Sequence, residues 1–164
     1  MELLLVKKAQ KGDTDAFVEL MEMHKTALYK VAKSYLKSEE DIADVMQDTI
    51  LSAYEHIGNL KKSAYFKTWI TRILMNHCND LLRQQRHFVK AGWEEEREGY
   101  TPSDDREFYE LLSELSEDVR PIFLLHYGEG FSTKEVAQIL DMNENTVKSK
   151  LMRGRKKLKQ ALCC

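Results

Sequence analysis

Apolar residues along this chain recur every three or four positions and almost never alternate. That period belongs to helices with one buried stripe, because side chains three and four apart share a helix face. By this pattern residues 2–11 form a short first helix, broken at Gly12. Asp13 or Thr14 then caps a long second helix whose stripe is Phe17, Leu20, Met21, Leu28, Val31 and Tyr35. A third helix opens at Ser38-Glu39-Glu40-Asp41, a serine followed three residues later by an acid, as in a capping box. Its inner face is predicted to be Ile42, Val45, Met46, Thr49, Ile50, Ala53, Tyr54 and Ile57. Asn59 to Ser63 is a polar break, with Ser63 the expected cap of the next helix. Phe66, Trp69, Ile70, Ile73, His77 and Leu81 then mark the buried stripe of that fourth helix, over 64–85.

Residues 87–105 show no sustained period and contain Gly92, Gly99, Pro102 and an EEERE run, the signs of a linker. The period returns at Phe108, Leu111, Leu112 and Leu115. Ser116 is expected to cap the next helix, with Pro121 near its start, Val119, Ile122, Phe123 and Leu125 as core, and Tyr127-Gly128 as its end. Ser132 caps a short helix that turns Val136, Ala137, Ile139 and Leu140 inward, Asp141-Met142 makes a tight turn, and Asn143 caps the last helix. Val147, Leu151, Gly154, Leu158 and Leu162 are its predicted anchors. The expected fold is all-α: two small helical domains, an N-terminal bundle (1–87) and a C-terminal helix–turn–helix domain (106–164), joined by a flexible acidic linker (88–105).

Charge separates these pieces. The whole chain of 164 residues has a formal net charge of −2, yet residues 143–159 carry seven basic side chains against the single acid Glu144. A tight turn leading into a cationic helix is a device for placing side chains in the DNA major groove, where early residues of the second helix reach base edges. Lys148, Ser149, Met152 and Arg153 are the candidate base contacts, on a face that also presents Asn145 and Lys156. Lys150, Arg155, Lys157 and Lys159 lie on the flanks and are assigned to phosphates. Gly154 in mid-helix costs roughly 1 kcal/mol against alanine, so close packing is expected there.

Two upstream surfaces are more ambiguous by themselves. Asp44, Gln47, Asp48 and Glu55 make an acidic and amide face on the third helix, either a solvated surface or a docking face for a basic helical partner. Arg72, Asn76, Asn79, Arg83 and Arg86 fall on one side of the fourth helix. Arginine forks suit phosphate and asparagine suits base edges, while the bland alternative has solvated arginines and Asn76 and Asp80 bonding neighbouring helices.

Little in the composition points to catalysis. Three cysteines, Cys78, Cys163 and Cys164, do not make a disulfide framework. His77 beside Cys78 has no second pair at ligand spacing, so no metal or other cofactor is expected. A hydrolase built on His77, Cys78 and Asp80 lacks a separate base and oxyanion site. The apolar run Leu3 to Val6 is too short for a signal sequence, and a cytoplasmic protein is expected.

Three stretches in order, DIADVMQDTILSAYEHI, FKTWITRILMNHCNDLLRQQR and FSTKEVAQILDMNENTVKSKLMRGRKKL, resemble the segments of extracytoplasmic-function sigma factors, a group of the sigma-70 family. The resemblance implies a transcription initiation subunit without enzymatic activity. Its first domain would dock on the clamp helices of the largest subunit of core RNA polymerase through Asp41, Asp44, Val45, Gln47 and Asp48. Asn59, Lys61, Lys62 and Ser63 would line a capture site for an unstacked promoter base, with Tyr65 the aromatic nearby, and Arg72, Asn76, Asn79, Arg83 and Arg86 would hold DNA beside it. The last domain would read the upstream promoter element through Asn145, Lys148, Ser149, Met152, Arg153, Arg155 and Lys156. Gly154 departs from the family's usual alanine. Members are commonly held inactive by an anti-sigma factor, often membrane-bound, and one is implied here. A stand-alone helix–turn–helix regulator of duplex DNA is the alternative, and it would need a ligand pocket or dimer seam in the N-terminal domain.

Overall fold

The computed structural model describes residues 1–90 and 106–162, and every regular element among them is helical. The chain divides into two compact units, Met1–Glu96 and Arg97–Cys164. The expected linker falls mostly, and Cys163 and Cys164 wholly, outside the described residues.

The first unit is a bundle of α1 (Glu2–Gln10), α2 (Thr14–Tyr35), α3 (Glu39–His56) and α4 (Phe66–Lys90). Each turn between helices has a local cause. Gly12 takes φ +96, a left-handed conformation open to glycine, and the Asp13 carboxylate then accepts the Ala16 N–H at 3.1 Å to start α2. Ser38 Oγ accepts the Asp41 N–H to start α3, and Asp41 Oδ2 accepts from Gln85 Nε2 at 2.7 Å, which ties the beginning of α3 to α4. Leu20, Ala32, Ala53, Phe66, Ile70, Leu74 and Met75 are wholly buried where α2, α3 and α4 meet. Burying one of the larger of these side chains contributes about 1.5–3 kcal/mol.

Four sequence expectations fail here. Ser63 caps nothing: it lies inside a 3-10 turn, Ser63–Tyr65, that leads directly into α4. The buried arc of α4 is Phe66, Ile70, Thr71, Leu74, Met75 and Cys78, whereas Trp69, Ile73, His77 and Leu81 are half-buried. The helix packs on both α2 and α3, so its buried arc is wide and a three–four template can settle on one edge of it. Tyr54, expected inside, is 55% exposed and sets its ring edge-on to Phe17. The α4 backbone also stays helical to Lys90, beyond the expected end at residue 85.

The second unit contains α5 (Arg106–Ser113), α6 (Arg120–Phe123, continued by a π turn Leu124–Gly128), α7 (Thr133–Leu140) and α8 (Glu144–Leu162). Ser116 does not cap α6, which begins after Val119 with no side-chain cap, and its hydroxyl donates to Asp118 Oδ1 at 2.6 Å. Arg120 instead closes the preceding helix, donating to the carbonyls of Leu112, Ser113 and Leu115. Ser132 and Glu135 form the full reciprocal capping box of α7. Asp141 ends that helix at φ 52, and Asn143 Oδ1 accepts the Asn145 N–H at 2.8 Å to start α8.

Candidate nucleic-acid and partner interface

On α3 the side chains of Asp44, Gln47, Asp48 and Glu55 are exposed, and they share their face with Leu51 (56% exposed) and Tyr54. The surface is thus acidic at its edges and apolar in the middle. Leu51 and Tyr54 were hidden in sequence because Tyr54 also satisfies the helical core period. Val45 does not belong to this face. It is 2% exposed, one turn along from Ile42 on the inner stripe, and its carbonyl accepts the Thr49 hydroxyl at 2.7 Å. Asp41 is half-buried and bound to Gln85, so its first role is holding α3 in place.

After α3 the chain makes a 3-10 turn, Ile57–Asn59, and runs through an exposed loop to α4. Asn59, Lys61 and Lys62 are exposed and Ser63 is half-buried. Tyr65 is 53% exposed, with Lys62 Nζ 5.6 Å from its ring centroid, a cation–π pair on the surface. An exposed ring beside two lysines has the parts needed to stack a base and hold its phosphate.

All five residues of the α4 stripe, Arg72, Asn76, Asn79, Arg83 and Arg86, are exposed or at the edge of exposure, and Asp80 also faces out, with its Oδ1 3.5 Å from Arg83 Nη1. Asn76 and Asp80 therefore do not serve as buried ties between helices. On the inner side His77 Nε2 lies 3.1 Å from Ser52 Oγ, joining α4 to α3. Cys78 is fully buried and its thiol is pushed up to about 12 by that burial. A thiol so placed stays protonated and is a poor nucleophile, and Asp80 points away from it.

On α8 the inward residues are Val147, Leu151 and Gly154. A Cβ at Gly154 would overlap Cε2 of the Phe123 ring and stand 2.9 Å from Cζ, so the missing side chain lets α8 lie against α6. Leu158 is half-buried and Leu162 is 70% exposed, so the expected anchoring row stops one turn early. Asn145, Lys148, Ser149, Met152, Arg153 and Lys156 are exposed, spaced so that they form one continuous face, and Met152 is 61% exposed at its centre. The flank differs from expectation. Lys150 is not a free cation, since its Nζ bonds Asp118 Oδ2 at 2.9 Å, and Arg155 Nη1 donates to the Tyr127 hydroxyl at 2.7 Å. Both contacts fasten α8 to the preceding elements, a role that only spatial proximity reveals. Among the described residues, no helix is long and apolar enough to cross a membrane.

Comparison with known proteins agrees with this division. Residues 20–88 match the Sigma-70 region 2 family and residues 105–158 match the Sigma-70, region 4 family. The RNA polymerase sigma factor NccH of Alcaligenes xylosoxydans xylosoxydans is 31% identical over 168 aligned positions, covering 94% of this chain and 90% of NccH. The ECF RNA polymerase sigma factor SigW of Bacillus subtilis is 26% identical over 184 positions, covering 99% and 98% of the two chains. The sigma factor RpoE of Bartonella quintana, solved in complex with the anti-sigma factor NepR, superposes with a TM-score of 0.78 at 26% identity, covering 89% of this chain and 96% of RpoE. The chain belongs to the extracytoplasmic-function group of the sigma-70 family and is a transcription initiation sigma factor.

Proposed function

We propose that the work of initiation is divided between the two units. The exposed face of α3, carrying Asp44, Gln47 and Asp48 around Leu51 and Tyr54, docks on the clamp helices of the largest polymerase subunit. Acidic side chains at the rim favour a basic partner and steer its approach, and the two apolar side chains supply burial. The loop from Asn59 to Tyr65 captures an unstacked promoter base, and Arg72, Asn76, Asn79, Arg83 and Arg86 hold the strand beside it. Extruding a base costs a few kcal/mol, which stacking on Tyr65 and the charges of Lys61 and Lys62 would offset. In the second unit Lys148, Ser149, Met152 and Arg153 read base edges of the upstream element, with Asn145, Arg155 and Lys156 at the margins of that surface. Met152 suits a thymine methyl. The working domains on this reading are 1–87 and 106–164, with 88–105 as the connector, and the protein acts in the cytoplasm without catalysis of its own. An anti-sigma factor that covers these surfaces holds it inactive, by analogy with RpoE and NepR.

One observation supports the assignment of the first unit: α3 and α4, tied by His77–Ser52 and Asp41–Gln85, present the docking face and the polar stripe from one compact unit. Run-off transcription with core RNA polymerase tests it. The protein is expected to support initiation only with core, and the pair of changes Asp44→Ala and Gln47→Ala is expected to weaken core binding while the helical fold survives. Tight promoter binding without core, and no initiation with it, would overturn the reading.

A further inference from the structure

The loop between α3 and α4 is held from outside itself. Gln10, the last residue of α1, sends one amide nitrogen to two carbonyls: Nε2 donates to Ile57 O at 3.0 Å and to Leu60 O at 2.8 Å. Those carbonyls stand at the two ends of the turn that carries Gly58 and Asn59, and Lys61 comes directly after it. A primary amide has two N–H donors, and both are used, so the assignment of nitrogen rather than oxygen follows from the partners being carbonyls. The Ile57 carbonyl also accepts the Leu60 N–H at 3.2 Å, so three hydrogen bonds fix the turn from which Lys61 and Lys62 project.

The arm that reaches the loop is itself rigid. Leu5, Val6 and Ala9 bury α1 against α2. Glu2 Oε1 lies 2.8 Å from Nε2 of the buried His24, clamping the other end of the helix. At the Gln10 end, the N–H groups of Lys11, Gly12 and Asp13 return to the carbonyls of Lys8 and Ala9. The helix precedes residues 20–88, where the region 2 family match lies.

We propose that Gln10 is a positioning residue for promoter opening, acting through the backbone of the loop that presents Asn59, Lys61 and Lys62; this rests on the proposed role of that loop in base capture. Gln10 touches no DNA. It removes conformational freedom from the loop before DNA arrives, so that less binding energy is spent on ordering the loop as the base enters. Without it the loop is still present with the same side chains, and the effect falls on the step that needs them placed together.

The test compares the full-length protein with Gln10→Met, which keeps the shape and removes both donors, in holoenzyme with core RNA polymerase. Run-off transcription is measured from a duplex promoter and from the same promoter premelted by mismatches around the start site. The ratio of duplex to premelted activity is expected to fall by about three- to tenfold, since two hydrogen bonds of ordinary strength are lost from the loop. Core affinity is expected to stay the same. Gln10→Glu and Gln10→Lys give a second pair with comparable reach and opposite donor capacity: Glu sets a carboxylate against two carbonyls and should lower the ratio further, while Lys should restore most of it. An unchanged ratio, or an equal loss on both templates together with weaker core binding, would make Gln10 a scaffold contact only and overturn the proposal. The double change Lys61→Ala, Lys62→Ala serves as the control for the loop. If it leaves the ratio unchanged, the loop reading fails and the Gln10 proposal falls with it. If it lowers the ratio and the Gln10 variants do not, the Gln10 proposal alone fails.

Discussion

Helices α4 and α8 both expose a polar stripe, yet they are built on different supports. Phe66, Ile70, Leu74, Met75 and Cys78 of α4 are all wholly buried, so this helix is a structural wall of its unit. Its surface charge is thin: Arg72, Arg83 and Arg86 share the stripe with two asparagines, and Asp80 pairs with Arg83. For α8 the inward residues are Val147, Leu151 and a glycine, and the helix carries its cations outward. On the proposed reading phosphate attraction dominates at α8, acting on duplex DNA of any sequence before base edges are read. A stripe rich in asparagine gains less from charge and more from hydrogen bonds to bases, which melted DNA exposes. On the proposed reading this contrast fits the second unit to landing and the first to opening.

The strongest way to break this comparison is through the wall. Leu74→Ala should cost about 2–5 kcal/mol in urea unfolding followed by circular dichroism, as expected for a large core side chain replaced by a cavity. Ile73→Ala, one residue along and half-buried, should cost clearly less. Equal costs would mean that α4 is not seated as described. Next in size is Arg153→Ala, which should weaken binding to the upstream element by about 1–3 kcal/mol if the side chain makes a bidentate base contact. Titration against a set of single-base variants decides it: an unchanged preference at every position would remove Arg153 from base reading and leave it on phosphate.

Gly154 sharpens the comparison from the other side. Alanine at this position gains roughly 1 kcal/mol in helix propensity but must displace the Phe123 ring, which is only 4% exposed. Overpacking of that kind costs about 1–3 kcal/mol, so Gly154→Ala should be destabilising by a net amount on the order of 1 kcal/mol. Phe123→Leu in the same chain should shrink that cost, and a double-mutant cycle measures the coupling. A stabilised Gly154→Ala protein would show that α8 can move away from α6 freely. A destabilised one would give the glycine a steric reason, in the ring that fills the space where a methyl would stand.

The helical class, the two-part organisation and the sides of α4 and α8 that face solvent were legible in the residues, because each rests on a period that one helix repeats several times. Errors gathered where a side chain's partner comes from another element. Val45 reads as either core or contact until α3 is placed on α4, and burial then decides for core. Ser63 and Ser116 stand where caps are expected, but a 3-10 turn and the Asp118 carboxylate take them elsewhere. Gln10 gave no signal at all, since its partners lie 47 and 50 residues away in sequence and are backbone carbonyls. Lys150 and Arg155 looked like phosphate ligands because charge alone was visible, and their partners were not.

That last pair gives the smallest effect and the finest test of which cations on α8 serve DNA. Lys150 is held by Asp118, so Lys150→Ala should leave the salt dependence of DNA binding nearly unchanged, whereas Lys156→Ala should reduce the slope of log K against log salt by about 0.9 if it neutralises one phosphate. The fixing contact has its own signature in pH. Hydrogen bonds from the Ser116 hydroxyl and then from Lys150, with the lysine's charge, hold the Asp118 carboxyl at about 2, below its ordinary value of 3.8. A carboxyl lowered in the folded state stabilises that state above its unfolded value, and the benefit disappears as pH falls through the folded one. The difference in Tm between the native protein and Asp118→Asn should therefore be constant near neutral pH and shrink between about pH 4 and pH 2. Asp118 is largely solvent-exposed, so the pair is worth on the order of 0–1 kcal/mol and the Tm difference is correspondingly small. A difference that persists undiminished at pH 2 would mean that Asp118→Asn acts through the turn rather than through charge. Lys150 would then be available to the DNA after all, and the slope measured for Lys150→Ala would have to match that of Lys156→Ala.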